Sequence, residues 1–175
     1  DEELADMSDA IKAMSTEIPA STTEIAAVAE AAGQLGIQKD ALLDFTRVMT
    51  MLGTATNMTA EDAATALARF ANITGMSADN YDRLGAVIVD LGNNFATTES
   101  EITQMGTRLA SGGKLAGLTE PQIMALAAAM SSVGIEAEAG GTAMTQTLNA
   151  IEKAVATGED SLQSFADVAG MSADS

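Results

Sequence analysis

The sequence contains no cysteine, no histidine and no tryptophan, and aromatic residues make up only 3% of it. Without cysteine, the chain can form neither a disulfide framework nor a thiolate metal site. Without histidine, it lacks the commonest general base, the usual Ser and Cys triads and imidazole metal ligation. Aromatic side chains also dominate interface hot spots and base-stacking platforms. These absences argue against an enzyme and favour a structural role.

Basic residues are scarce as well. Eight Lys and Arg residues stand against 25 Asp and Glu residues, which gives a formal net charge of −17. Nucleic acids and anionic membranes both attract positive charge, so we expect this segment to bind neither directly. Acidic pairs such as Glu61 with Asp62 fall in predicted first helical turns, where negative charge complements the helix dipole. We therefore expect no metal ion, no cofactor and no catalytic residue.

The pattern that is present is a series of short, apolar-striped helices. Alanine and other strong helix formers are frequent, and no segment shows the alternation of a strand. A Ser or Thr followed three positions later by an acidic or amide residue predicts helix starts at residues 21–24, 59–62, 98–101 and 119–122. Looser caps near residues 38 and 77 complete a spacing of about 20 residues, the length of one short helix and one turn.

This spacing predicts an all-α fold of about eight to nine short helices, with helical-hairpin units of about 40 residues. An array of such hairpins and a compact bundle both fit the sequence. Glycines predict several helix ends: Gly53 closes one helix, residues 92–94 form a loop, and Gly112, Gly113 and Gly117 bracket a turn around Lys114.

The predicted organisation has three parts. Residues 1–20 form an N-terminal helix that continues from a longer upstream segment, and residues 21–170 form the main helical module. Within that module, a last short helix carries Leu162, Phe165 and Val168. Residues 171–175 are the truncated start of a further helix, because the five residues from Gly170 repeat those from Gly75.

Two candidate sites are structural. Gly140 and Gly141 fall inside or beside a strong helix pattern, where each costs about 1 kcal/mol relative to Ala. They predict a hinge or a close helix contact, with an interhelix loop as the plain alternative. Directly afterwards, Met144, Leu148, Ile151 and Val155 form an apolar stripe and are the candidate packing or interface residues.

A phosphate-binding loop is superficially suggested by Ser111, the two following glycines and Lys114. The motif fails because Arg108 occupies the position of its first glycine and Leu115 follows the lysine where Ser or Thr is required. A flexible turn is the better interpretation of these residues.

Several pieces of the chain, taken in order and with their spacing, resemble the conserved region of phage and prophage tail tape-measure proteins. They lie at residues 36–37, 43–45, 59–64, 91–94, 117–120, 126–128, 134–135 and 141–143. The resemblance covers about two thirds of the chain or more. It carries over no catalytic residue.

The resemblance implies a mostly helical structural protein that takes part in tail assembly and sets tail length as the tube polymerises around it. It implies a place in the virion tail, in the tube lumen or tip, and in the host cytoplasm during assembly. The implied partners are other copies of itself and the tail tube, tail tip and tail-assembly chaperone proteins. Two other functions stay open: a helical-repeat adaptor that binds a partner through an apolar groove, and an acid-pair hydrolase.

Overall fold

The computed structural model describes residues 2–157, 163, 166–167 and 170. In this part, eight α-helices and one 3-10 turn, Ala78–Asn80, make up the secondary structure, and there is no strand. The α-helices are α1 (Glu2–Glu17), α2 (Thr22–Gln34), α3 (Lys39–Ala55), α4 (Ala60–Thr74), α5 (Tyr81–Asn94), α6 (Glu99–Leu115), α7 (Glu120–Ser132) and α8 (Ala137–Thr157). The predicted all-α class is confirmed. The stripe of Leu162, Phe165 and Val168 and residues 171–175 lie outside the described residues.

Local hydrogen bonds account for the helix starts. At α2, the Ser21 hydroxyl accepts from the Glu24 N–H, and the Glu24 carboxylate accepts from the Ser21 N–H at 2.8 Å. Thr98 and Glu101 repeat this capping box at α6. Each box satisfies backbone donors that a helix start otherwise leaves without partners.

Glycines in the left-handed conformation close four helix ends, at Gly36, Gly75, Gly117 and Gly134. The residue after each glycine donates its N–H to a carbonyl five positions earlier, for example Met76 to Ala71 at 3.1 Å. This is the hydrogen bond of a Schellman motif, and it explains why glycine is followed by a hydrophobic residue there. At two of these ends the hydrophobic residue packs inward, because Ile37 and Met76 are buried.

Alternate helices lie side by side, so the chain forms a two-row stack. The helices α2, α4, α6 and α8 form one row, and α1, α3, α5 and α7 form the other. Hydrogen bonds align the first row: the Asn72 side chain donates to the Leu35 carbonyl at 2.7 Å, and the Ser100 N–H donates to the Asn57 side chain at 3.1 Å. The first bond joins the ends of α2 and α4, and the second joins the starts of α4 and α6. The array is therefore favoured over the bundle.

Helix α6 occupies the centre of the stack, in contact with α4, α5, α7 and α8. Its residues Ile102, Met105 and Leu109 are fully buried. In the other row, Phe45 of α3 and Tyr81 of α5 pack edge to face with their ring centroids 4.9 Å apart. Such a pair adds about 1 kcal/mol to the stabilisation from area burial.

Several predicted helix boundaries are wrong. The helix α3 continues past Gly53 to Ala55, α5 includes residues 92–94, and α6 runs through Gly112 and Gly113 to Leu115. Ser77 makes no side-chain capping hydrogen bond and precedes a 3-10 turn, and α5 begins at Tyr81.

The common cause of the glycine errors is packing. A Cβ atom at Gly53 would lie 2.5 Å from the Ala60 nitrogen, and one at Gly92 would lie 2.5 Å from the Glu99 carboxylate. These glycines provide room for a neighbouring segment and do not end their helices.

Candidate assembly surfaces

The described residues contain no group of three or more Asp or Glu side chains that could hold a metal ion. None of the described helices is both long enough and apolar enough to cross a membrane. The segment from Ser111 to Lys114 lies inside α6, with Gly112 and Gly113 buried. It is therefore not a phosphate-cradling loop, and the flexible turn predicted there is also wrong.

Gly140 and Gly141 lie buried in the first turns of α8, against α6. A Cβ atom at Gly141 would lie 2.5 Å from the Arg108 Cβ atom, so Gly141 faces α6 directly. A Cβ atom at Gly140 would meet Ile135 first, and Met105 of α6 and Met130 of α7 next, each at 3.1 Å. The interhelix loop considered for them is absent, because α8 begins at Ala137.

Three glycines of α6 leave space for its neighbours, one on the side of α8 and two on the side of α7. A Cβ atom at Gly112 would lie 2.9 Å from the Thr145 methyl group of α8. Towards α7, a Cβ atom at Gly106 would lie 2.5 Å from the Met124 sulfur, and one at Gly113 would lie 2.7 Å from the Ile123 side chain. Contacts this short leave no room for a side chain, so these glycines allow both neighbours to approach the α6 backbone.

Burial differs along the apolar stripe of α8. Met144, Leu148 and Ile151 are partly buried, whereas Val155 is 59% exposed. Because Arg108 lies beside Gly141 and Gly112 beside Thr145, α6 and α8 run parallel. In this register Leu115, the last residue of α6, lies beside Leu148 of α8. Residues 149–157 therefore extend past the end of α6.

A polar groove of about 840 Å³ lies between α4, α6 and the start of α8. Arg69 and Arg108 line it, and the guanidinium of neither forms an ion pair or hydrogen bond with a described residue. Thr103 also lines it, with a fully buried hydroxyl that has no hydrogen-bond partner within the described part. Carboxylates of Asp62 and Glu138 share the groove, so it carries mixed charge.

A second groove, of about 590 Å³, lies on the opposite row and is mostly apolar. We call it the apolar groove. It is lined by residues 17–19 at the end of α1, by Val48, Met51, Leu52, Thr54 and Ala55 of α3, and by Asp82, Gly85, Ala86, Val89, Asp90 and Asn93 of α5. An adjoining cavity of about 480 Å³, the acidic pocket, is lined by Asp40, Ala41, Asp44, Arg47, Val48, Ala78, Asp79, Tyr81 and Asp82. Neither cavity was predictable from the sequence, because each depends on how three segments pack.

The carboxylates of the two capping boxes have lowered pKa values. Hydrogen bonds from the Ser21 N–H and hydroxyl lower the pKa of Glu24 below its usual 4.5. The Thr98 N–H and hydroxyl, with a further bond from Thr97, lower the pKa of Glu101 in the same way. Both shifts arise because a hydrogen bond to the ionised form stabilises it. Burial raises the pKa of Tyr81.

The fold and these surfaces define an all-helical stack with grooves between its helices. The model of the phage-related minor tail protein family matches residues 8–175. The chain therefore belongs to the family of phage-related minor tail proteins.

A named relative makes the relation more specific. The chain is 31% identical over 143 residues to a probable tape measure protein of Halomonas phage phiHAP-1. The match includes 77% of this chain and 17% of that protein, so the chain spans about a sixth of the relative's length. The resemblance to the tape-measure region is thereby confirmed. No solved structure matches the chain significantly.

Proposed function

We propose that this chain is a structural module of a phage tape-measure protein, acting in tail assembly and tail-length determination from within the tail tube or its tip. The observation that carries the proposal is the alignment with a probable tape measure protein over 77% of the chain. Membership of a minor tail protein family supports a structural role over an enzymatic one. Its partners would be other tail components, including tube, tip and chaperone proteins and further copies of itself.

Within this function, Gly140 and Gly141 would serve as a close helix contact. The short distance from Gly141 to Arg108 supports a contact over a hinge. The stripe of Met144, Leu148, Ile151 and Val155 would continue as an interface where α8 extends past α6, because Val155 is largely exposed there.

The test is the tail length of a phage whose tape-measure gene lacks residues 22–157. If the module lies in the tube as one continuous helix, tails should shorten by about 200 Å, at about 1.5 Å per residue. If it remains a stack four helices deep, they should shorten by about 40 Å, at about 10 Å per helix. A shorter deletion, such as residues 77–116, is unsuitable because it removes the central helix α6.

Loss of all tails, restored by the wild-type gene supplied in trans, would support the assembly role of this module. Tails of normal length and infectivity would contradict the proposal. That result would favour the alternative of a helical-repeat adaptor, for which the apolar groove is the surface available.

A further inference from the structure

We infer that the apolar groove and the acidic pocket beside it form one docking surface for an amphipathic helix of another protein, with basic residues at one end of its apolar stripe. The assignment does not depend on the proposed function, because the isolated chain can be tested for binding. It rests on the shape of the groove, on the charge next to it and on the charge of the whole chain.

The groove has the features that accept a helix. Val48 and Leu52 of α3 line it together with Met51, whose side chain is 52% exposed. On its α5 side, Gly85 is buried against Val48, and the exposed Ala86 is the small residue that lets a partner helix approach closely. An amphipathic helix binds such a groove by inserting larger apolar side chains from one face.

The acidic pocket continues the groove at one end. Val48 and Asp82 line both cavities, so the two surfaces are contiguous. The helices α3 and α5 run parallel, since Phe45 contacts Tyr81 and Val48 lies beside Gly85. The four carboxylates of the pocket therefore lie near the N-terminal ends of these helices, and the apolar side chains line their C-terminal halves beside Asp90 and Asn93.

The charge of the pocket selects the partner. Four carboxylates line it, from Asp40, Asp44, Asp79 and Asp82. The one cation among its lining residues, Arg47, has its guanidinium 2.6 Å from the Glu17 carboxylate. The negative potential is thus not neutralised within the pocket, and Lys or Arg side chains of a partner would complement it.

A second copy of this chain is a poor occupant. Each copy carries a formal charge of −17, so a second copy offers few basic residues to complement the acidic pocket. An anionic membrane surface is disfavoured because its charge has the same sign as that of the pocket. The occupant that the surface fits is a protein helix with an apolar stripe and a basic end.

The probe is a synthetic amphipathic peptide of about 18 residues, roughly 27 Å as a helix. It carries Leu along one face and three Lys or Arg residues in its last turn, where cations complement the helix dipole. One control peptide replaces the basic residues with Glu, and another replaces the Leu stripe with Ser. Binding to the 175-residue chain is measured by calorimetry at low and at physiological salt.

The variants separate the groove from the pocket. Ala86→Arg places bulk and a positive charge in the groove, and Ala26→Arg makes the same change at an exposed site of α2. Asp44→Asn with Asp79→Asn removes two pocket charges, and Glu61→Gln with Glu152→Gln removes two exposed charges elsewhere. All four positions altered by the Asn and Gln changes are exposed, and circular dichroism checks that each variant stays folded.

We expect the basic peptide to bind and both control peptides to bind at least tenfold more weakly. Ala86→Arg should weaken binding at least tenfold, and Ala26→Arg should leave it unchanged. The double Asn variant should weaken binding about threefold and flatten its salt dependence, as expected for exposed ion pairs.

Three results would overturn the assignment. The first is equal binding of the acidic and basic peptides, and the second is an equal effect of Ala86→Arg and Ala26→Arg. The third is a concentration-dependent dimer in sedimentation that Ala86→Arg disrupts, which would make a second copy the occupant.

Discussion

Gly141 of α8 lies directly against Arg108 of α6, so close that a Cβ atom at position 141 would be 2.5 Å from the Arg108 Cβ atom. The neighbouring atom belongs to the rigid base of the side chain, not to its flexible end. The two helices are parallel neighbours in the same row, and this contact sets how closely they pack.

Gly141→Ala should destabilise the chain by about 1–3 kcal/mol, the usual cost of overpacking, because α8 must move away from α6. The measurement is the free energy of urea unfolding. The matched control is Gly33→Ala, which lies in α2 with nothing within 4 Å of its added Cβ atom. That change should stabilise by about 0.5 kcal/mol. Equal effects at the two positions would show that Gly141 is not a tight contact.

The buried hydroxyl of Thr103 provides a second prediction. Its side chain is fully buried and has no hydrogen-bond partner in the described part. Thr103→Val keeps the shape and removes the unsatisfied group, so we expect a gain of about 1 kcal/mol. Thr50 is equally buried, but its hydroxyl donates to the Thr46 carbonyl at 2.8 Å. Thr50→Val should therefore give no gain, and thermal unfolding of both variants distinguishes the two cases.

The capping carboxylates predict a response to acid. The folded-state pKa values of Glu24 and Glu101 lie below 4.5. Their stabilising effect is therefore present above about pH 4.5 and is lost as the pH falls through the lower folded values. Gln can accept the same bonds without titrating, as Gln122 does from the Thr119 N–H at 2.9 Å. In the double Glu→Gln variant, the loss of stability between about pH 5 and pH 3 should be smaller than in wild type.

The reverse change is the control for this prediction. Gln122→Glu places a third titrating carboxylate at a helix start and should steepen the acid response. If neither substitution alters the pH profile of the unfolding free energy, the capping carboxylates are not the groups that respond.

An engineered disulfide can show whether the stack persists in the virion. The chain has no cysteine, and a Cβ atom at Gly106 would lie 3.8 Å from the Ala127 Cβ atom. That separation suits a disulfide between α6 and α7. Because the Met124 side chain occupies the space beside Gly106, the double variant Gly106→Cys with Ala127→Cys also carries Met124→Ala, and it should cross-link in the isolated chain on oxidation. In a continuous helix the two positions would be about 32 Å apart, so free thiols in oxidised virions would show that the stack has opened. Each single variant serves as the control.

Much of the fold was predictable because capping is local. In each capping box, both hydrogen-bonding residues lie within one helical turn, as Ser21 and Glu24 do. The sequence alone therefore identifies these helix starts. The Gly–hydrophobe pairs, such as Gly75 and Met76, are local for the same reason.

The errors arose where glycine serves a tertiary contact. Gly112 and Gly113 look like a turn because their partners, Thr145 and Ile123, are distant in sequence. The grooves were unpredictable on the same ground. The side chains of the apolar groove come from α3, α5 and the end of α1, and only the alternation of helices between two rows brings them together.

The three glycines of α6 also determine how the molecule can come apart. Each weakens an isolated helix by about 1 kcal/mol relative to Ala, so α6 is a poor helix once α7 and α8 are removed. If the two rows separate, α6 is therefore expected to unfold and not to remain a helix between them. If this module passed through a narrow channel, α6 would unfold first. The channel would then contain an unfolded segment with helices on both sides of it.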